Sequence, residues 1–155
     1  MSVEILNESG EQVDEDRFRR LITHALDQLH VHPDAELSLI FVEVPAMERL
    51  HVRWLDEPGP TDVLSFPMDE LRPGSADRPT PPGILGDIVV CPEVAARQAE
   101  QAGHSAEEEM LLLVTHGLLH LLGFDHAEED ERREMFGLQN EILASFLRQD
   151  RAPGR

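Results

Sequence analysis

From Met110 to Phe124 the chain places apolar residues on nearly every side of a helical projection, with two histidines among them. A helix that is apolar all round has no face to offer water, so it belongs at the centre of a domain with the other elements wrapped about it. The run is too short to span a membrane. It is preceded by Ser105-Ala106-Glu107-Glu108, a capping box in which the serine oxygen satisfies the backbone at Glu108 and the Glu108 side chain answers. His116 and His120, four residues apart, lie one above the other on one face, separated by about 6 Å of rise. Gly123 follows three residues later. Glycine readily takes the left-handed conformation that ends a helix, and a reversal there brings His126 back toward the pair.

A lone histidine on an apolar helix is more often a core residue with a satisfied hydrogen bond than a ligand. Three at this spacing around a glycine are different, because helix geometry, glycine placement and ligand count agree independently. His116, His120 and His126 are therefore the expected metal ligands, with a further position left open. Three imidazoles and a vacant position form the ligand set of a catalytic zinc site, whereas structural zinc is usually closed by four ligands rich in cysteine. Imidazoles also favour zinc, one Zn2+ per chain, over magnesium or calcium. The remaining histidines, His24, His30, His32, His51 and His104, read as hydrogen-bonding residues, since none has a second histidine at ligand spacing on its helix.

The histidine stretch resembles the metzincin signature H-E-x-x-H-x-x-G-x-x-H, except that Gly117 stands where those proteases carry their general base. Upstream, Pro60 to Pro67 reads P-T-D-V-L-S-F-P, a turn leading into a short apolar strand, and Leu85 to Ile88 reads L-G-D-I. Together with H-G-x-L-H-L-x-G-x-D-H, these stretches resemble the YbeY family of bacterial ribosomal-RNA maturation endoribonucleases over nearly the whole chain. The resemblance implies a mixed sheet with the metal in a cleft beside it. It also implies cleavage of single-stranded RNA and maturation of the small-subunit (16S) rRNA 3′ end on the ribosome, with that subunit or its proteins as partner. Many members carry an arginine five or six residues before the proline. Here the register holds Leu55, and Arg53 is the nearest arginine.

At 155 residues the chain is one domain, able to bury about 70% of its extended surface. Residues 1–150 read as a single metal-dependent hydrolase domain and 151–155 as tail, with fraying expected from Arg148 onward. Thirteen basic residues, all arginine, oppose thirty-one acidic ones, a net charge of −18. Such a body repels nucleic acid unless arginines gather at the cleft or a ribosomal partner positions the RNA, so a locally positive cleft is expected. DNA and membranes are not expected partners. The single cysteine, Cys91, excludes an internal disulfide and fits a reducing compartment, and the N-terminus lacks a secretory pattern, which together point to the cytoplasm.

Hydrophobic periodicity supplies the other elements. Val3 to Leu6 and Leu37 to Val44 read as strands. Phe18, Leu21, Ile22, Ala25, Leu26 and Leu29 give a helix capped by Asp14, whose Arg17, Arg19 and Arg20 read as a solvated face. Pro45 opens a helix packed through Met47, Leu50, His51 and Trp54. Residues 69–83 read as a loop, Ile84 to Val90 as a strand with a bulge at Gly86, and Pro92 opens a helix ended by Gly103. Acidic residues after His126 suit the start of a last helix with Met135, Leu138, Ile142, Phe146 and Leu147 on one side. The fold class is α+β, about four strands in one mixed sheet with about five helices and the metal site on the central buried helix.

Zinc lowers the pKa of bound water from about 15.7 to about 7 and polarises phosphoryl oxygens, which offsets the missing glutamate. The leading expectation is a single-metal endoribonuclease with Asp125 as base or ligand orienter. Asp87 reads equally as support for a ligand or as a polar residue at a bulge. Two alternatives are a metzincin-like metallopeptidase, taking its carboxylate from Asp125 or Asp87, and a non-catalytic ribosome-assembly module stabilised by zinc.

Overall fold

The structure, a computed structural model, describes residues 2–55, 61–125 and 127–150. The elements in chain order are β1 (Ser2–Asn7), α1 (Glu15–Gln28), β2 (Glu36–Phe41), α2 (Val44–Leu55), β3 (Val63–Pro67), β4 (Ile84–Val90), α3 (Pro92–Ala102), α4 (Ala106–Leu121) and α5 (Glu129–Asp150). The expected four strands and five helices are thus present among the described residues.

The sheet order is β1-β2-β4-β3. The first three strands run parallel and β3 pairs antiparallel to β4, which makes the sheet mixed. The bulge expected in β4 is present: the register shifts between Glu36 and Leu37, which face Ile84 and Gly86. Gly86 has φ +138°, and a Cβ there would run into the Phe66 carbonyl, so the position accepts only glycine. By crowding the backbone here, β4 draws β3 close.

Helices α1, α4 and α5 cover one sheet face through a core that includes Phe18, Leu39, Ile88, Leu111, Leu118 and Ile142. Helix α2 partly covers the other through a smaller cluster of Val42, Met47, Leu64, Val89 and Cys91. The central helix α4 touches β3, β4, α1, α3 and α5. Its capping box is formed as expected: Ser105 Oγ accepts from Glu108 N at 3.1 Å and Glu108 Oε1 from Ser105 N at 3.2 Å. Along α4 only Leu112, His116 and His120, with the first-turn residues, escape full burial. These three are four residues apart, so the helix opens to solvent along one stripe, and that stripe carries the histidines.

Three sequence expectations are corrected. Strand β2 stops at Phe41, not Val44: Val42 N still reaches Val90 O at 2.9 Å, but Met47 N then bonds Glu43 O at 3.0 Å and closes the first turn of α2. Arg17 and Arg20 are not a solvated face. Arg17 donates to Glu107 Oε1 at 2.8 Å and to Asp150 Oδ2 at 3.0 Å, and Arg20 binds the other Asp150 oxygen. This clasp also explains why the last helix continues through Arg148 to Asp150 instead of fraying. Residues 151–155 lie outside the described residues.

Candidate functional site

His116 and His120 meet as the four-residue spacing predicts. Their rings stand 4.7 Å apart at 80°, and the two Nε2 atoms are separated by 3.2 Å. Two nitrogens on one tetrahedral zinc, each about 2.05 Å from it, would lie about 3.3 Å apart. The separation of the pair therefore fits two ligands of one ion. His116 is fixed from behind by α5, where Gln139 Oε1 lies 2.8 Å from its Nδ1 and the Phe136 ring stacks on it at 5.7 Å. An amide oxygen accepts, so Nδ1 carries the proton and Nε2 presents its lone pair, the tautomer a metal ligand requires.

Neither Phe136 nor Gln139 was singled out in the sequence. The signal available was Gln139 itself, 4% exposed and lying between Met135 and Ile142 on the buried side of α5. A glutamine buried among apolar residues needs a partner, and here the partner is an imidazole.

His126 lies outside the described residues, and among those described no group of three His, Cys, Asp or Glu gathers as a metal cluster. Gly123, at φ +92°, makes the expected reversal after α4, and Asp125 is exposed in the segment that follows. The Arg72 guanidinium lies where a Cβ on Gly123 would sit. An arginine of the long loop is thereby pressed onto the turn that leads to His126.

Gly117 occupies the position of the metzincin general base, and its surroundings explain the replacement. A Cβ built there would stand 2.9 Å from Ser65 Oγ, 3.1 Å from Ile88 Cγ2 and 3.5 Å from Val63 Cγ2. Ser65 Oγ also donates to Gly117 O at 3.1 Å. The helix is seated directly on β3 and β4 at this point, leaving no volume for a glutamate.

The histidines line a cleft of about 500 Å³ with Trp54, Asp62, Val63, Leu64, Ser65, Phe66 and Pro67. Asp62 was not singled out; its Oδ1 accepts from Val63 N at 2.7 Å, and its carboxylate is the one charged group among the described lining residues. The expected positive cleft is therefore not found among them. Arg53 lines an adjoining groove, 5.4 Å from the Trp54 ring centroid, and not the histidine cleft. Asp87 lines that same groove, whereas its neighbour Ile88 points toward Gly117, so Asp87 is on the sheet face away from the histidines and supports neither ligand. His51 is buried, His24 Nε2 lies 3.0 Å from Ser145 Oγ, and His104 Nε2 lies 2.6 Å from Glu109 Oε1, in keeping with hydrogen-bonding roles.

The sequence profile of the family described as endoribonuclease YbeY matches residues 4–147. The chain belongs to the YbeY endoribonuclease family. A YbeY endoribonuclease of Clavibacter michiganensis is 70% identical over 151 residues, covering 97% of this chain and 99% of the relative. The YbeY of Beutenbergia cavernae is 69% identical over 147 residues, 95% of this chain and 98% of its own. The solution structure of TM1509 from Thermotoga maritima superposes with a TM-score of 0.63 at 26% identity, covering 99% of both chains. YbeY membership bears out the resemblance read from the motifs. Among the described residues, no helix of this YbeY chain is long and apolar enough to cross a membrane.

Proposed function

We propose that this chain is a zinc-dependent, single-strand-specific endoribonuclease that matures the 3′ end of small-subunit rRNA. Membership of an endoribonuclease family supports the reaction class, hydrolysis of RNA phosphodiesters. The observation that carries the metal is the pair of Nε2 atoms 3.2 Å apart, one of them oriented by a buried glutamine. His116 and His120 would hold the ion, with His126 as third ligand. When bound, zinc supplies Lewis acidity toward a phosphoryl oxygen and brings the pKa of water to about 7.

The chain's own residues do the rest. Gln139 keeps the His116 proton on Nδ1, Phe136 fixes the plane of that ring, and buried α4 holds both imidazoles on a rigid element. Asp125 or Asp62 would take a proton from the attacking water. The net charge of −18 and a cleft with no arginine among its described lining residues favour RNA delivered by the ribosomal small subunit over capture by charge from solution. The buried Cys91 fits a cytoplasmic setting.

The test is cleavage of matched single-stranded and duplex RNA by the full chain, before and after chelation. Cleavage of the single strand that chelation abolishes, with an unchanged circular dichroism spectrum, is the expected result. Unfolding on chelation would favour the zinc-stabilised assembly module. Hydrolysis of a peptide library without hydrolysis of RNA would favour the metallopeptidase.

A further inference from the structure

Trp54 is the only tryptophan in the chain and is 59% exposed. Packing does not account for that: α2 faces its core through Met47 and His51, and the indole makes an edge contact with Phe66 at 6.3 Å between centroids. Leaving so large an apolar ring in water gains nothing for the fold. Its position is informative. Trp54 and Phe66 line both the histidine cleft and the apolar groove behind it, and so form the ridge between the two. Arg53 adds a cation 5.4 Å from the indole centroid, and among the described residues it makes no ion pair.

We propose that Trp54 is the stacking platform for one unpaired nucleobase of the RNA strand lying at His116 and His120, with Arg53 contacting the adjoining phosphate. The inference rests on the endoribonuclease reading and deepens it. In an acidic chain whose cleft has no arginine among its described lining residues, a base on an indole supplies affinity for RNA that charge there does not. Stacking also demands a base free of its complement, which gives single-strand preference a physical origin. Arg49 lines that groove with Arg53, but so do Glu8, Glu48 and Asp87, so one phosphate beside the ridge is expected to reach Arg53 while the rest of the backbone stays out of the groove.

Because the chain holds one tryptophan, its fluorescence reports on this residue alone. The full chain is mixed rapidly with a short single-stranded RNA and emission is followed before cleavage proceeds. Quenching by the single strand, absent with the duplex, is expected. An RNA series with one abasic site moved along the strand should lose the quenching at one position only. Trp54→Ala should raise KM by about 5- to 150-fold with kcat much less affected, and Trp54→Phe should restore part of the loss. Arg53→Gln should flatten the dependence of log affinity on log salt by about 0.7. Melting curves of both Trp54 variants establish that they are folded. RNA cleaved with unchanged Trp54 emission, or an unchanged KM in folded Trp54→Ala, overturns the platform while leaving the endoribonuclease standing. Absence of RNA cleavage by the wild-type chain overturns both. Emission that depends on protein concentration without RNA would place a second copy on the indole, and overturns the platform too.

Discussion

Replacing Gly117 by alanine tests how the central helix is seated, because two effects of opposite sign meet at one atom. In a free helix interior, glycine to alanine gains about 1 kcal/mol. Here the added Cβ would lie 2.9 Å from Ser65 Oγ, closer than real Cβ contacts come, and 3.1 Å from Ile88 Cγ2, tight enough that this side chain must give way slightly. Overpacking of this kind costs about 1–3 kcal/mol. Turning Ser65 away to make room forfeits its hydrogen bond to Gly117 O, worth a further 0.5–1.5 kcal/mol, roughly. The net expectation is destabilisation by about 0.5–3.5 kcal/mol, or a Tm lowered by about 1–14 °C in a domain of this size. Urea and thermal melts of the wild type, Gly117→Ala, Ser65→Ala and the double variant measure it. In the double variant the penalty for the new methyl should shrink, since one of its two obstacles is gone, while the Ile88 contact remains. A Gly117→Ala protein more stable than the wild type would refute the reasoning, because helix propensity would then be acting without opposition and α4 could not be seated on β3 as described.

Other expectations follow from the same geometry. Gln139→Leu should leave the chain folded but lower its zinc affinity about 10- to 100-fold in competition with a chromophoric chelator, since His116 loses the acceptor that sets its tautomer. His116→Ala and His120→Ala should each abolish RNA cleavage, His120→Ala with little change in melting temperature because its side chain lies on the stripe of α4 that opens to solvent, and His116→Ala at a cost of about 1–3 kcal/mol because buried Gln139 loses its imidazole partner. Partial burial alone would raise the Asp150 carboxyl, but hydrogen bonds and charge from Arg20 and Arg17 outweigh it and hold it below its ordinary value. A carboxyl depressed in the folded state stabilises it above the unfolded pKa, and that contribution is lost as pH falls through the folded value. Asp150→Asn should therefore cost about 1–2 kcal/mol at neutral pH in urea melts, with the gap to the wild type closing as pH falls below the ordinary aspartate pKa and through the lower folded value.

What the amino-acid pattern revealed was local in origin. The capping box, the four-residue histidine spacing, the reversal at Gly123 and the bulge at Gly86 depend on neighbours within a turn or two, and each is found in the structure. The family signatures carried the fold further than periodicity alone, which left strand order open. Long-range pairings left no periodic trace. Arg17 and Asp150 are 133 residues apart, and a basic residue early in a helix looks the same whether water or a distant carboxylate faces it. Gln139 and Phe136 were missed because the side of a long helix facing a ligand cannot be separated by pattern from the side facing the core. Asp87 was left with two readings because alternation along a strand places residues on two faces without saying which one the metal helix covers. The arginine-poor cleft was missed for a related reason: net charge is a sum, and a cleft is a location.

The clasp bears on how the chain is made. Arg17 and Arg20 leave the ribosome early, yet the carboxylate that binds both is at the end of the last helix. Before Asp150 emerges Arg20 can bind Asp16 and Arg17 can bind Glu107, so α1 can join β1 and β2 but is not latched to the last helix. Final closure waits for α5, so a nascent chain stalled short of Asp150 should be markedly easier for proteases to cut than one that includes it.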